Sequence, residues 1–151
     1  MQKPKLLLIE KVIVLKSLSI FAETPETILA EIAHLVEEAE VPEDTPVFKE
    51  GDIGNCMYII FRGSVRIFHK EQTLAVFNEK DFFGELSLLD TETRSASATT
   101  LSQCYLLRID QEPFYDLMES RTEVVKGVIR ILCQRLRAAN KRLIELSQPL
   151  P

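Results

Sequence analysis

The spacing of the apolar residues changes twice along this chain of 151 residues. Up to about position 39, and again after Asp110, apolar side chains recur every three or four residues, as they do on one face of an α-helix. Between these positions they alternate with polar residues in short runs rich in β-branched and aromatic side chains, which Pro, Gly or charged residues separate. The sequence therefore predicts a β-rich middle segment flanked by helices.

Two helices are predicted on each side of the middle segment. The first spans Leu6 to Leu18, where apolar residues recur at helical spacing. The second follows Thr24, which offers a capping oxygen, and Pro25, whose missing N–H is not needed at a helix start, and it runs to about Ala39. The two later helices are predicted at Pro113–Glu119 and Val124–Ser147.

The middle segment contains seven short runs that are typical of strands. They are Glu40–Pro42, Pro46–Lys49, Met57–Arg62, Ser64–His69, Leu74–Phe77, Ser97–Thr100 and Cys104–Asp110. Many short strands at this spacing favour a roll, a barrel or a sandwich. We expect one domain over residues 1–151, with a helical lead-in at about 5–38, a β-roll at about 39–110 and C-terminal helices at about 112–147.

Composition and charge argue against several classes of protein. With 46% hydrophobic and 27% charged residues the chain is typical of a globular protein, and no apolar run approaches the roughly 20 residues of a membrane span. No secretory signal is evident, so a cytoplasmic location is expected. The net charge of −5 argues against binding of nucleic acid by the chain as a whole, and the basic residues at 121–142 are expected on a solvated helix face.

Signals for catalysis or metal binding are weak. Cys56, Cys104 and Cys133 form no CxxC pair, so free thiols are expected rather than a disulfide or a zinc site. His34 and His69 stand in no spacing typical of a catalytic triad or a metal site. We therefore predict that the protein is not an enzyme and needs neither a metal nor a cofactor.

One acidic and one basic residue near position 90 are the strongest candidates for a site. Glu85 follows Gly84 inside an apolar stretch that fits one helical turn, and a carboxylate placed there requires donors such as sugar hydroxyls. Arg94 precedes two small residues, Ser95 and Ala96, so that a guanidinium and backbone N–H groups can meet one anion. The residues alone indicate either a phosphate clamp at Arg94 or a structural ion pair between Glu85 and Arg94.

The stretch from Phe83 to Ala98 resembles the phosphate-binding cassette of cyclic-nucleotide-binding domains. It consists of FGELSLL, the hinge DTET and RSASA, and the family pattern is FGE(L)(A/S)LL, a short hinge and R(S/T/A)A. The earlier runs VFKEGD, MYII and RGSVRI resemble the first hairpins of the family, and the whole resemblance covers about Leu18 to Leu143. It implies a mainly β fold with flanking α-helices, namely a double-stranded β-helix (a jelly-roll-like β-roll) with N-terminal helices and two C-terminal helices.

The resemblance also implies roles for residues of the cassette. Glu85 is expected to accept a hydrogen bond from the ribose 2′-hydroxyl, and Arg94 is expected to neutralise the cyclic phosphate. Gly84, Leu86 and Ser87 are expected to form the short cassette helix beside the ligand.

Further residues are assigned to the phosphate and the base on the same resemblance. Ser95 is expected to offer its hydroxyl and N–H to the phosphate or the purine edge, with Ala96 beside it. Four residues are expected near the base, with Ile67, Leu74 and Phe77 forming an apolar wall and Asn140 of the last helix at the purine amine. For these four, a place in the core or on a solvent-facing helix is the alternative.

The hinge departs from the family pattern. Residues 90–93 contain neither the glycine nor the proline that is common there in the family, so a different loop geometry is expected. Asp90 and Glu92 also bring negative charge near the predicted phosphate site, which lowers affinity by repulsion.

These observations predict a sensory module that binds a cyclic nucleotide, cAMP rather than cGMP, and relays occupancy through its C-terminal helices. The alternative is a domain of the same fold that has lost its ligand and serves protein interaction or dimerisation through Val124–Ser147. The expected partners are the nucleotide and either a second copy or a larger protein to which the domain is fused. Direct binding of nucleic acid is not expected, because the chain ends within about a dozen residues of the last matched position, where a helix-turn-helix would have to follow.

Overall fold

The computed structural model describes residues 6–148, which form five helices and ten strands. The helices are α1 (Leu8–Lys16), α2 (Glu26–Ala33), α3 (Glu85–Leu89), α4 (Gln111–Ser120) and α5 (Thr122–Ser147), and a 3-10 turn at Ser19–Phe21 follows α1. The strands are β1 (Glu37–Val41), β2 (Pro46–Phe48), β3 (Ile53–Gly54), β4 (Cys56–Arg62), β5 (Val65–His69), β6 (Gln72–Phe77), β7 (Phe82–Phe83), β8 (Glu92–Thr93), β9 (Ser97–Thr100) and β10 (Cys104–Asp110). The predicted start of the lead-in at residue 5 lies outside the described residues.

Two four-stranded antiparallel sheets form the β-roll. The first has the strand order β1-β10-β4-β7 and the second β2-β9-β5-β6, while β3 and β8 pair separately. Neighbouring strands come from distant parts of the chain, as where Glu37 of β1 faces Arg108 of β10. This is the predicted double-stranded β-helix with helices on either side of it in sequence, so the predicted fold class is confirmed.

The central strands of the first sheet, β4 and β10, are buried on both faces. Met57 and Ile59 of β4 pack against the helices, in one core with Phe21 and Phe114. The next residue, Ile60, belongs to a second core between the two sheets. Burying side chains of this size stabilises the fold by about 1.5–3 kcal/mol each. Because both faces are covered, β4 has a nearly continuous apolar sequence and the helical layer is fixed to the outside of the roll.

The second helix is shorter than predicted, and this prediction was wrong. The spacing of apolar residues suggested a helix to about Ala39, but α2 ends at Ala33, and β1 begins at Glu37 rather than Glu40. Leu35 and Val36 lie one turn after Ile32 and so match helical spacing in the sequence. In the structure, however, all five residues of β1 pair with β10, and those long-range hydrogen bonds outweigh the local pattern.

Other boundaries differ by smaller amounts. The strands Ser97–Thr100 and Cys104–Asp110 have the predicted bounds. Helix α1 is shorter than the predicted Leu6–Leu18, whereas α4 and α5 each begin two residues before the predicted start. The strands β3, β7 and β8 were not predicted, because two residues each are too few to show a period.

The start and the first half of α5 are anchored to the N-terminal segment. Arg121 donates two hydrogen bonds to Glu31, and Arg130 donates one to Glu23 at 2.7 Å. Val124 is buried in the helical core, but every residue from 136 to 148 is exposed. The second half of the helix therefore has no cover from the described part of the chain.

Two further expectations concern cysteines and membranes. All three cysteines are free, with Cys56 and Cys104 buried and Cys133 partly exposed. Within residues 6–148, no helix has the length and apolar character that a membrane crossing requires.

Candidate ligand-binding site

A cavity of about 560 Å³ opens between the second sheet, α5 and the segment 82–96, which we call the cassette. Its volume lies within the range of about 300–1,000 Å³ that is common for small-molecule sites. The cavity is lined by Phe48, Ile67, Phe77, Lys80, Asp81, Phe82, Phe83, Gly84, Glu85, Leu86, Ser87, Glu92, Thr93, Arg94, Ser95, Ala96 and Arg135.

The cavity brings together most of the site residues that were predicted from the sequence. Nine of the eleven candidates line it, namely Gly84, Glu85, Leu86, Ser87, Arg94, Ser95, Ala96, Ile67 and Phe77. Leu74 does not, because it lies on the edge strand β6 with 55% of its surface exposed. Asn140 is exposed on α5, beyond the part of the helix that reaches the cavity. The roles assigned to the candidates stay predictions.

Arg94 is the most buried charged residue of the cavity wall. Only 8% of its surface is exposed. One terminal nitrogen donates to Ser87 Oγ at 3.0 Å, and the other donates to the carbonyl oxygen of Cys56 at 3.0 Å. The guanidinium carbon lies 4.3 Å from the centre of the Phe48 ring, and Nε is buried without a hydrogen-bond partner.

Within residues 6–148, Arg94 forms no ion pair with a carboxylate. Its described contacts are a hydroxyl, a carbonyl, the Cys56 sulfur and a ring, none of which carries a full negative charge. Burial and the neighbouring Cys56 raise the pKa of Tyr58 to about 12, so this nearby phenol is also neutral at pH 7. A buried, unpaired cation costs several kcal/mol, which favours an anion in the cavity.

Glu85 pairs with α5 rather than with Arg94. Its Oε1 accepts a hydrogen bond from Arg135 Nη1 at 2.5 Å. This contact joins the first residue of α3 to α5. The structural ion pair between Glu85 and Arg94 that the sequence left open is not formed in the described part of the chain.

Aromatic rings form the wall behind the cassette. Phe83 stacks on Tyr58 with 5.3 Å between ring centroids, and on Phe77 with 5.8 Å. Phe48 lies 6.1 Å from Phe83 and faces Arg94. The strand β7 that carries Phe83 is thereby fixed, and with it the start of the cassette.

Gly84 allows the chain to turn from β7 into α3. Its φ is +79°, a left-handed conformation that glycine adopts more easily than other residues. A Cβ at this position would also lie 2.8 Å from Arg94 Nη1. Glycine is therefore required here both for the backbone and for the approach of the guanidinium.

Side chains of α4 hold the other end of the cassette helix. Gln111 Nε2 donates to the carbonyl oxygen of Ser87 at 3.2 Å, and the Tyr115 hydroxyl donates to that of Leu89. Thr91 of the hinge donates to Gln111 Oε1 at 2.7 Å. Carbonyls at a helix end lack partners within the helix, so these bonds attach α3 firmly to α4.

Eight residues of the cavity lining were not among the candidates, and two of them, Arg135 and Phe48, contact the predicted Glu85 and Arg94. Arg135 was counted among the solvated basic residues, although it stands seven residues after the buried Val128 and eleven after Val124, on the same face of α5. A cation on a buried face is the signal that could have identified it. Phe48 was assigned to a strand, but nothing local indicates that its ring lies against Arg94.

Fold and site together define a class of protein, a β-roll domain with a buried guanidinium facing a cavity beside a short helical cassette. The chain belongs to the cyclic nucleotide-binding domain family, whose sequence model matches residues 38–121. The family predicted from the cassette is thus confirmed.

Regulators of transcription are among its relatives. The CRP-like cAMP-activated global transcriptional regulator of Mycobacterium tuberculosis is 30% identical over 138 residues, which cover 88% of this chain and 62% of the relative. The cyclic AMP receptor protein of Thermus thermophilus is 36% identical over 111 residues, which cover 70% of this chain and 51% of the relative. This chain therefore spans between half and two thirds of the length of these relatives.

A solved structure supports the same assignment. The N-terminal domain of a transcriptional regulator from Streptomyces coelicolor matches with a TM-score of 0.82 and 29% sequence identity. The match covers 86% of this chain and 94% of the other.

Proposed function

We propose that this chain is a sensory module that binds a cyclic nucleotide, prefers cAMP to cGMP, and relays occupancy through its C-terminal helices without changing the ligand chemically. The observation that carries the proposal is Arg94, a buried guanidinium without an acidic partner among residues 6–148, on the wall of a cavity of about 560 Å³. A cyclic phosphate brings one negative charge and several acceptor oxygens, which a guanidinium binds well.

The rest of the cavity suits the rest of the nucleotide. Glu85 contacts Arg135 through Oε1, which leaves Oε2 to accept a hydrogen bond from a ribose hydroxyl. Ile67 and Phe77 offer an apolar surface for the base. We assign the phosphate to Arg94, with Ser95 and Ala96 beside it, on the basis of these positions.

The names of two relatives support the preference for cAMP, since one is described as cAMP-activated and the other as a cyclic AMP receptor. Isothermal titration of the purified chain with cAMP and with cGMP tests it, with Arg94→Met as the control for the site. We expect tighter binding of cAMP than of cGMP, and loss of both in the variant. Absence of binding by the wild-type chain would refute the proposal and favour the alternative of a domain without ligand.

Two sets of contacts support a relay from the cassette to the C-terminal helices. Gln111 and Tyr115 of α4 bond the carbonyls of the cassette helix, and Arg135 of α5 bonds Glu85. A ligand that favours one packing of these groups over another shifts the position of the helices.

Hydrogen exchange with and without cAMP tests the relay. We expect changed protection at both 82–96 and 111–147, because the two regions share these hydrogen bonds. Protection confined to 82–96 would indicate a passive binder and contradict the relay.

A second proposal concerns the exposed apolar face of α5, for which we propose a parallel coiled coil with a second copy of the chain. Seven residues recur at alternating spacings of four and three, namely Val125, Ile129, Leu132, Leu136, Ala139, Leu143 and Leu146. We call this set the seam. Such spacing is typical of two-stranded coiled coils, and most of the seam is exposed in the single chain.

The charges beside the seam are compatible with this pairing. In a parallel pair, the residue directly before each a position of the heptad faces the residue five places later in the other helix. Arg135 therefore faces Asn140, and Arg142 faces Ser147. No two like charges oppose each other in these pairs. In this arrangement the side-chain amide of Asn140, which is predicted at the purine amine, would reach the cavity from the partner subunit.

Two adjacent residues provide a matched test of the coiled coil. Leu143 lies on the seam with 64% exposure, whereas Ile144 is off the seam with 61% exposure. Light scattering coupled to size exclusion should show a dimer for the wild type and for Ile144→Glu, and a monomer for Leu143→Glu. A wild-type monomer, or equal behaviour of the two variants, would refute the proposal.

A further inference from the structure

Gly54 lies where the side chain of Arg94 crosses strand β3. A Cβ built on Gly54 would lie 2.6 Å from Arg94 Nε, 2.8 Å from Arg94 Cζ and 2.6 Å from Ser87 Oγ. Real side chains do not approach so closely, so a methyl group at this position would require Arg94 or Ser87 to move. Gly54 itself is buried.

The backbone gives no other reason for glycine at this position. Gly51, Gly63 and Gly84 have a positive φ, but Gly54 does not. It pairs in an ordinary antiparallel bridge with Glu92, a conformation open to any residue. The close approach of Arg94, and of Ser87 that is bonded to it, is therefore what excludes a side chain at position 54.

The path of Arg94 is fixed at both ends. Its backbone N–H donates to the carbonyl oxygen of Asp52 at 2.7 Å, which holds the start of the side chain beside β3. Its Nη2 donates to the carbonyl oxygen of Cys56 at 3.0 Å. A side chain that starts next to residue 52 and ends at residue 56 must pass over residue 54, because β3 lies between them.

We propose that Gly54 is a positioning residue for the ligand site, whose missing side chain lets Arg94 lie flat against β3 and present its guanidinium to the cavity. The proposal rests on the proposed function for the identity of the ligand. In Gly54→Ala the methyl group pushes the guanidinium away from β3, so that its bond to Ser87 breaks and it enters the space of the phosphate. We expect cAMP affinity to fall by about 10- to 100-fold, the effect of losing one hydrogen bond between the displaced guanidinium and the phosphate.

Thermal unfolding without ligand tests the contact between positions 54 and 94 directly. Gly54→Ala should lower the melting temperature when Arg94 is present, but should have little effect in an Arg94→Ala background, where the methyl group finds space and Ser87 can rotate. Equal losses in both backgrounds would overturn the proposal. If Gly54→Ala fails to fold but the double variant folds, the coupling is likewise established, whereas failure of both would contradict it.

Gly51→Ala is the matched control for affinity. It lies three residues earlier with a φ of +90° and nothing within 4 Å of a Cβ. Its N–H donates to the Arg94 carbonyl oxygen at 2.9 Å, so alanine strains the loop that holds the Arg94 backbone without placing an atom against the Arg94 side chain. Titration should show near wild-type affinity for Gly51→Ala and reduced affinity for Gly54→Ala. Equal losses would mean that loosening of the loop explains both and would overturn the proposal. If the wild type binds no cyclic nucleotide, the proposed function fails, while the unfolding experiment still decides whether Gly54 positions the guanidinium.

Discussion

Replacing Arg94 with methionine should leave the ligand-free protein nearly as stable as before while removing its response to ligand. Methionine fills a similar volume without charge. In the ligand-free state the guanidinium contributes two hydrogen bonds, to Ser87 and Cys56, and a contact with the Phe48 ring. Hydrogen bonds to charged groups contribute about 1.5–3 kcal/mol each, and the ring contact contributes about 1 kcal/mol.

The cost of burial offsets these contributions. A cation that is nine-tenths buried without an acidic partner costs several kcal/mol, and replacing buried charged groups by apolar ones is often neutral. We therefore expect the free energy of unfolding of Arg94→Met without ligand to lie within about 2 kcal/mol of the wild type, a shift of about 4–8 °C in melting temperature at most for a domain of this size.

The stabilisation by ligand should differ far more between the wild type and Arg94→Met than the stability without ligand does. At a concentration of 100 times its Kd, cAMP stabilises the wild type by about 2.7 kcal/mol. Loss of a buried charge pair costs about 2–5 kcal/mol, which weakens binding by at least about 30-fold. At the same cAMP concentration the variant should then gain less than about 1 kcal/mol.

Differential scanning calorimetry of both proteins, with and without cAMP, measures the stability of each protein in each condition. Arg66→Met is a matched control, since Arg66 also lies over an aromatic ring, that of Phe68 at 4.6 Å, but does not line the cavity. The control should retain the full response to ligand. A large loss of stability in Arg94→Met without ligand, or an unchanged response to cAMP, would refute the reasoning.

Three further predictions follow from the site and the helices. Glu85→Gln should weaken binding of cAMP more than binding of 2′-deoxy-cAMP in titrations, because the lost acceptor matters only where the 2′-hydroxyl is present; equal losses would contradict the ribose role. Burial acts to raise the pKa of Glu38, but hydrogen bonds from Leu6 N and Tyr105 and the charge of Lys11 hold that pKa below its usual value. The stability that the wild type gains over Glu38→Gln should therefore be constant above about pH 5 and disappear as the pH falls further. Urea unfolding of both proteins across this pH range measures the difference. Gly127→Ala should raise the melting temperature by about 2–4 °C, because the nearest atom to its Cβ is 3.8 Å away and alanine favours the helix by about 1 kcal/mol; a decrease would contradict the packing seen there.

The sequence predicted those parts of the fold that local spacing determines. Cys104–Asp110 shows a clear run of strand-forming residues, and the structure has the predicted bounds. The end of α2 was wrong because the pairing of β1 with β10 joins residues about 70 positions apart, and no local pattern reports such a pairing.

The same distinction between local and distant contacts applies to the candidate site. The cassette residues from Gly84 to Ala96 are close in sequence and carry a recognisable motif, so they were found together. Arg135 meets Glu85 across 50 positions, and Gly54 meets Arg94 across 40, so these contacts depend on how distant elements pack. Their residue types were visible in the sequence, but their partners were not.

The tyrosines give this protein an intrinsic spectroscopic probe. The chain has three tyrosines and no tryptophan, so its near-ultraviolet emission comes from tyrosine without a stronger fluorophore to mask it. Tyr58 stacks on Phe83 at the start of the cassette, and Tyr115 bonds Leu89 at the end of the cassette helix. With a pKa of about 12, Tyr58 also remains a neutral phenol well into the alkaline range. Two of the three emitters therefore lie at opposite ends of the segment that meets the ligand, where rearrangement of the cassette changes their emission without any added label.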